Sequence, residues 1–539
     1  MIKAMPPVKT DASPAELARS LEQFLAEHPG AALYEDGRLL FDMRTARYSL
    51  SAEHGRCTLH LWSDERNLVR TIVGLEPRKG MLRLSTTRFG QTRPQTLQLA
   101  ADRDQRTPST RNAARTRYLR LLERVLGRSF PDFKVDGMRT AADLEHSFGP
   151  AYARGYLLRG TTAFAVIGVN AGESQATIDG VLTLGILWLA YCREHGGSRR
   201  LIQGVKVIVP AGSAELTRSR MAALNFAMAQ WELFELDEQR EALTPVELHD
   251  GNLQMRMTHA FRPDAALERC RESVARLLAL LPGDMRGRVQ VQPRSPTEVA
   301  FLLHGLEFAR ARQDFSGNSF AREEQLTFGA GANETPLNEE NESLFVDLLQ
   351  RLSASRRPGG STRDPLYRLQ PERWMESVLK DSLGEILPGI QGQFLYTQVP
   401  AFARGDRGML DLLSADRNGR LLVIELKAEE DLHLPLQGLD YWLRVRWLNQ
   451  QGREQGGIGD LERNGYFIAA DAMPQSQPAI SAAPPLLCFV VPALRIHPAN
   501  EVVLQYLAPE VEWTIVALAE HWRERRTVVF RKHGGSATR

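Results

Sequence analysis

The stretch GMLDLLSADRNGRLLVIELKAEED, residues 408 to 431, sets Glu425 and Lys427 inside a run that is otherwise apolar. Leu421, Leu422, Val423, Ile424 and Leu426 give that run the composition of a core strand, and charged groups in a core are costly unless they are paired or bind a metal. Successive strand residues point to opposite faces, so Glu425 and Lys427 share one face while Leu426 takes the other. The preceding run, MLDLLSA, is joined to it by DRNG. A hairpin loop of Arg417, Asn418 and Gly419, with Gly419 in the left-handed conformation, sets Asp411 directly opposite Glu425. Two carboxylates and an ammonium then converge, and like charges facing each other destabilise a strand pair unless a cation lies between them. Carboxylate oxygens of this kind suit Mg2+ or Mn2+, which keep several waters and take phosphate oxygens as further ligands. That is the chemistry of phosphodiester hydrolysis, with Lys427 beside the attacking water and the developing negative charge.

A helix before the hairpin and another after it must frame such a group. The first, PERWMESVLKDSL, carries Glu376; the second contains LQGLDYW, in which Gln437 and Tyr441 stand four apart and so share a helix face. Helix acid, strand Asp, hairpin, buried ExK strand and QxxxY helix follow one another here. In that order the chain resembles the PD-(D/E)xK nuclease superfamily, in its RecB-like branch with a QxxxY motif, and is similar to the catalytic domain of the NucS type of DNA endonuclease. The resemblance covers roughly residues 365 to 500. It implies a restriction-endonuclease-like α/β domain with Asp411, Glu425 and Glu376 on the metal, Lys427 acting on the water, and Gln437 and Tyr441 orienting the site. It further implies a DNA substrate, an endonucleolytic cut and catalytic domains that work in pairs, hence a homodimer. An ExK triplet by itself carries almost nothing. The plain alternative is a surface hairpin with a Glu425 to Lys427 pair, and the apolar residues on both faces of the strand count against it.

Trp442, Arg444, Arg446 and Trp447 follow Tyr441 and offer guanidinium and aromatic groups to a nucleic-acid backbone or to unstacked bases, and Arg404 lies just before the hairpin. The tail residues Arg523, Arg525, Arg526, Arg531 and Lys532 offer phosphate contacts. Amphipathic helices and solvated edge strands have the same look, so each of these has an ordinary structural alternative.

At 539 residues and 43% apolar composition the chain can bury several cores, and an α/β multidomain protein of three or four domains is expected. Short apolar runs separated by turns mark residues 1–105 as a small β-rich domain. After DRDQRTPSTRNAAR, read as a linker, residues 106–245 alternate helix and strand: YLRLLERVL, helix-like AADLEHSF, strand FAVIGVN, helix VLTLGILWLAYCRE and strand VKVIVPAG. A mixed region at 246–360, with helices at ALERCRESVARLLALL and NESLFVDLLQRL, ends in SASRRPGGSTRDP, read as a second linker. Residues 361–539 form the nuclease-like domain.

The chain also echoes itself. PAYARG at 150 recurs as PAFARG at 400, FAVIGVNAGES at 164 parallels LLVIELKAEED at 421, and VIVPA at 207 parallels FVVPA at 489. Duplication explains the echo, with chance likeness of short apolar strands as the alternative. The first copy has Gly168, Asn170 and Asp179 where Glu425, Lys427 and Gln437 stand, and reads as too short to contain a counterpart of the Asp411 strand. Such a copy has lost the metal site and would serve as scaffold, substrate surface or dimerisation module. Glu173 and Asp179 form a separate site on one reading and serve as loop and helix-cap residues on the other.

The formal net charge of +2 announces no nucleic-acid binder in bulk, so any such surface must be local. Cys57, Cys192, Cys270 and Cys488 are scattered, which argues against a zinc cluster or disulfide scaffold and fits a reducing cytoplasm. The N-terminal residues lack the order of a signal peptide and the apolar run Val181 to Cys192 reads as too short to span a bilayer, so no membrane partner is expected. GxxxxGK[ST], HExxH and GxSxG motifs are absent. The sequence thus points to a metal-dependent nuclease, with a non-catalytic nucleic-acid-binding or assembly protein, or a nuclease subunit that needs a partner, as alternatives.

Overall fold

Four apolar runs, centred on Val166, Val207, Val423 and Phe489, become the central strands of two sheets, because a strand buried on both faces needs apolar side chains throughout. The computed structural model describes residues 13 to 535 apart from short segments, the longest being 88–94, 102–107, 250–255, 258–262, 316–321 and 469–479. The chain divides into two compact units, each made of two stretches: Thr107–Ala260 with Ser382–Arg539, and Met1–Arg106 with Phe261–Asp381.

The first of these units holds both sheets. One consists of β1 (Lys134–Arg139), β2 (Tyr152–Arg159), β3 (Thr162–Val169), β4 (Leu201–Pro210), β5 (Gln230–Asp237) and β6 (Ala242–Val246), hydrogen-bonded in that order. The other consists of β7 (Ile390–Ala403), β8 (Asp406–Asp416), β9 (Leu421–Leu426), β10 (Leu486–Pro492), β11 (Trp513–Leu518) and β12 (Val528–Gly534), also in order, with the short strand Arg256–Met257 beyond β7. Directions match rung for rung. The first three strands of each sheet are antiparallel, the third, fourth and fifth are parallel, and the sixth is antiparallel again. The helices match as well. Helix α1 (Pro108–Ser129) precedes β1; α2 (Val181–His195) and α3 (Glu215–Ala222) follow β3 and β4; α4 (Leu434–Gln450) and α5 (Pro498–Gln505) follow β9 and β10.

One core runs through both sheets and holds Val205, Val207 and Trp188 of the first together with Val423, Leu487, Phe489 and Trp442 of the second. On the other face of the first sheet, Tyr118, Leu122 and Val125 of α1 cover Val166, Ile208 and Phe234. The helical stretch Gln175–His195 is long and apolar enough by composition to cross a membrane, contrary to the reading of its apolar run as too short, yet it is 67% buried inside the protein. Its apolarity is accounted for by packing on all sides.

In the other unit, residues 32 to 100 form a seven-stranded antiparallel sheet, against which the helix Pro14–Glu27 buries Leu17, Leu21, Phe24 and Leu25. A five-stranded meander spans Val289–Ser295 to Thr335–Pro336 and packs with helices Arg271–Leu280 and Glu342–Ser355. The helix Pro371–Leu379 gathers with this unit rather than with the sheet that follows it in sequence.

Several local readings need correction. Residues 108 to 115 of the first supposed linker begin α1. AADLEHSF is no helix but a tight turn closed by an Asp143 to Phe148 bridge, with Asp143 accepting from the His146 backbone at 3.2 Å and Ser147 at φ +64°. The second supposed linker is anchored in a core. Arg356 is fully buried there and donates to the carbonyls of Leu303, His304, Leu366 and Leu369. Serine, arginine and glycine suggested a solvated tether, and composition alone could not reveal that one arginine closes four carbonyls.

Candidate active site

The DRNG turn sets the register that brings the charged side chains together. Gly419 has φ +77°, which an L side chain adopts only with strain, and its N–H donates to the Asp416 carbonyl at 2.9 Å. From there the ladder runs from Ala415 opposite Leu421 to Leu412 opposite Ile424, so Asp411 and Glu425 are the next facing residues. Asp411 accepts the Leu426 N–H through Oδ2 at 3.0 Å, tying its carboxylate to β9. Glu425 is 8% exposed. Burial and then the facing Asp411 carboxylate push its pKa well above the ordinary glutamate range, while Lys427 pulls the other way.

Lys427 follows β9 and extends its pairing by donating its N–H to Val490 at 3.2 Å. Its Nζ lies 3.1 Å from Asp431 Oδ2. Burial opposes ionisation of Asp431, but Lys427 and the His433 N–H outweigh it and leave the carboxyl below its usual range. Helix α4 starts next, with Pro435 in its first turn. Tyr441 is half-buried on α4, and burial, then Glu425 and Asp411, push its hydroxyl far up, which marks how near it lies to the carboxylates. Gln437 lies one turn earlier and is half-buried.

Glu376 belongs to the other unit, on the helix Pro371–Leu379, where its carboxylate meets Arg373 at 3.1 Å. Among the described residues no group of three or more His, Cys, Asp or Glu side chains is arranged to hold a metal ion. Asp411 and Glu425 alone still fit a hard divalent ion, since Mg2+ is commonly held by one or two carboxylates and completes its shell with water and phosphate.

Gln398 was missed from sequence. It lies on β7 between Thr397, which faces Leu412, and Val399, which faces Leu410; it donates to Asp411 Oδ1 at 3.4 Å, is buried, and has φ +51°. A left-handed glutamine beside two acids is the kind of backbone strain that gathers at functional sites. Only the register of the long, irregular β7 reveals it. Asp440 was missed too; it forms a two-pronged pair with Arg220 at 2.8 and 2.7 Å.

The residues proposed for nucleic-acid contact fare differently. Trp442 is buried and donates to the Pro485 carbonyl at 2.7 Å, so no base can stack on it. Arg444 is buried and donates to the Ala401 carbonyl at 2.9 Å. Arg446 pairs with Glu510 at 2.7 Å, and Trp447 packs against the core. In the tail Arg531 donates to the Ile386 carbonyl at 3.0 Å and Lys532 pairs with Glu501. Arg523 lies over the ring of Trp522, at 4.2 Å from its centroid. Arg525 and Arg526 are exposed. Arg404 falls outside the described residues.

The first copy does contain a counterpart of the Asp411 strand. It is β2, in which Ala153 faces Gly168 where Asp411 faces Glu425. A side chain at Gly168 would meet the Tyr118 hydroxyl at 2.6 Å, so α1 fills the place of the second carboxylate. Asn170 is 4% exposed and bonds within its own turn, donating to Glu173 and accepting from the Gly172 N–H. Glu173 is held by Arg115 at 2.8 Å and Asp179 accepts from Gln175 at 2.8 Å, which leaves them structural roles. Of the three echoes, the β3 with β9 and β4 with β10 matches are structural. PAYARG enters β2 whereas PAFARG spans the end of β7, so that match of letters is not one of position.

No family model and no curated protein matches this chain. A crystal structure of a repair endonuclease from Pyrococcus abyssi is similar at 11% sequence identity, over 43% of this chain and 98% of that one, with a TM-score of 0.17. A likeness that weak carries no argument about this chain, and the functional reading rests on the residues themselves.

Proposed function

We propose that the sheet β7–β12 carries a metal-dependent phosphodiesterase site that cuts nucleic acid, in the first instance DNA and endonucleolytically. The observation that carries this reading is the pair of facing carboxylates, one of them buried, beside a lysine. Burying an ion costs several kcal/mol, and a second like charge opposite raises that cost, so the metal-free site relieves it by keeping Glu425 protonated and a bound cation would relieve it instead.

Asp411 and Glu425 are the residues that would hold Mg2+ or Mn2+, which supplies polarisation of the phosphate and a bound water of lowered pKa. Asp411 is held in place by the Leu426 N–H and Gln398. Lys427 is held by Asp431 and stands where the attacking oxygen and the charged phosphorane would develop. Tyr441 and Gln437 close the site from α4, Tyr441 as a neutral hydroxyl donor.

The test is cleavage of end-labelled single-stranded, duplex and branched DNA, and of RNA, with Mg2+, Mn2+ or EDTA, beside Asp411→Asn and Lys427→Ala. Cutting that needs the ion and is lost in both variants is the expected result. Cutting that survives EDTA or survives both substitutions would sink the proposal.

A further inference from the structure

The two matched sheets meet across a contact in which each half uses the equivalent positions of the other. Leu224, just after α3, forms an isolated bridge with Leu507, just after the equivalent helix α5. The Asn225 N–H donates to the Tyr506 carbonyl at 2.8 Å, and reciprocally the Ala508 N–H donates to the Ala223 carbonyl at 2.9 Å. Exchanging each residue for its counterpart turns one bond into the other. That reciprocity is the signature of a two-fold contact between equivalent surfaces, here within one chain. The helices obey it too: α2 packs on α5 while α4 packs on α3. The shared core is continuous across the junction.

Only one half bears carboxylates at the facing strand positions. Ala153, Gly168 and Asn170 stand in place of Asp411, Glu425 and Lys427, and Tyr118 occupies the vacated space. The inactive half nevertheless reaches the other half's site. Arg220 of α3 grips Asp440, the residue before Tyr441, and also donates to the Asp179 carbonyl at 2.7 Å. Thr183 of α2 meets His433 Nδ1 at 3.0 Å at the start of α4, and the His433 N–H donates to Asp431, the partner of Lys427.

We propose that residues 107–260 are a built-in, non-cutting partner, so that one chain is a paired nuclease with a single cutting centre that breaks one strand of a duplex per engagement. This rests on the nuclease reading above. In this proposal the pairing is made within one chain, in place of the homodimer expected from the resemblance. In the single step, water oxygen adds to phosphorus and one P–O ester bond breaks. The leaving alkoxide takes a proton, and the opposite strand stays whole.

Supercoiled plasmid and a duplex labelled separately on each strand are treated with full-length protein and Mn2+, while sedimentation gives the mass under the same conditions. Wild type is also mixed with Asp411→Asn at fixed total protein. The inference expects a monomer, nicked circles that accumulate before linear molecules, and a rate proportional to the wild-type fraction. A dimer, linear product formed together with the first nicks, or a rate that falls as the square of that fraction would overturn it while leaving the nuclease reading intact. Absence of any Asp411-dependent cutting would instead overturn the nuclease reading, and this inference with it.

Discussion

Glu425 is a residue whose placement works against the metal-free fold. Its proton is held more tightly in the folded protein than in the unfolded chain, where the value is near 4.5. The folded state therefore binds more protons between those two values, and its stability falls as pH rises through that interval. Glu425→Gln should raise the melting temperature of the metal-free protein at neutral pH by a few degrees and remove the stabilisation that Mn2+ gives the wild type. Thermal denaturation with and without Mn2+ measures both. His304 illustrates the opposite sign. Burial, then Arg356 and Arg288, push it from 6.5 down to about 4, and its ring stacks on Trp374 with centroids 4.9 Å apart. The unfolded chain takes up the proton first as pH falls, so stability is lost between pH 6.5 and 4. His304→Asn, which tolerates the observed φ of +45°, should flatten that part of the urea-unfolding profile against pH.

At the scale of elements, the hairpin β8–β9 and the N-terminus of α4 act as one device. The turn fixes register, register fixes which carboxylates face, and the turn from Lys427 to His433 returns the chain so that α4 covers the same end of the sheet. Helix α4 lies close to β10, where a side chain at Gly438 would meet the Phe489 ring at 2.5 Å. The segment after the helix Glu342–Ser355 depends on a single side chain. Arg356→Ala would leave four carbonyls without their donor, and at roughly 1 to 3 kcal/mol for each buried group left unsatisfied the loss should exceed about 3 kcal/mol. Arg356→Lys should recover little, since an ammonium cannot reproduce the planar fork. Denaturant titration of full-length protein checks both variants.

For the molecule as a whole, a chain cut at the boundaries suggested by its sequence would divide a core. Val399, Leu413 and Val423 pack in one cluster with Val205, Val207 and Trp231. Residues 382–539 expressed alone should therefore aggregate, and co-expression with residues 107–260 should return soluble, co-purifying material. A fragment that is soluble and folded by itself, judged by near-ultraviolet circular dichroism, would contradict this. The likeness of the two halves makes the point physically: each presents an apolar face made to be covered by the other.

What the sequence determined by itself is local. The alternation of a strand set Glu425 and Lys427 on one face, and a loop ending in Gly419 set the register that faces Asp411 with Glu425, because both follow from backbone geometry over a few residues. The central strands were legible from their predominantly apolar runs, which Lys206 and Glu425 interrupt. Tertiary structure alone decided the rest. Trp442 and Arg444 look like surface readers of nucleic acid until α4 turns them into the protein. Arg356 looks like part of a tether until its carbonyls arrive from two other segments. Gln398 and Arg220 are ordinary residues in sequence, and acquire roles only because distant strands and a duplicated half bring Asp411 and Asp440 within reach. Burial and long-range partners depend on how whole faces pack, and no spacing along a single chain encodes that directly.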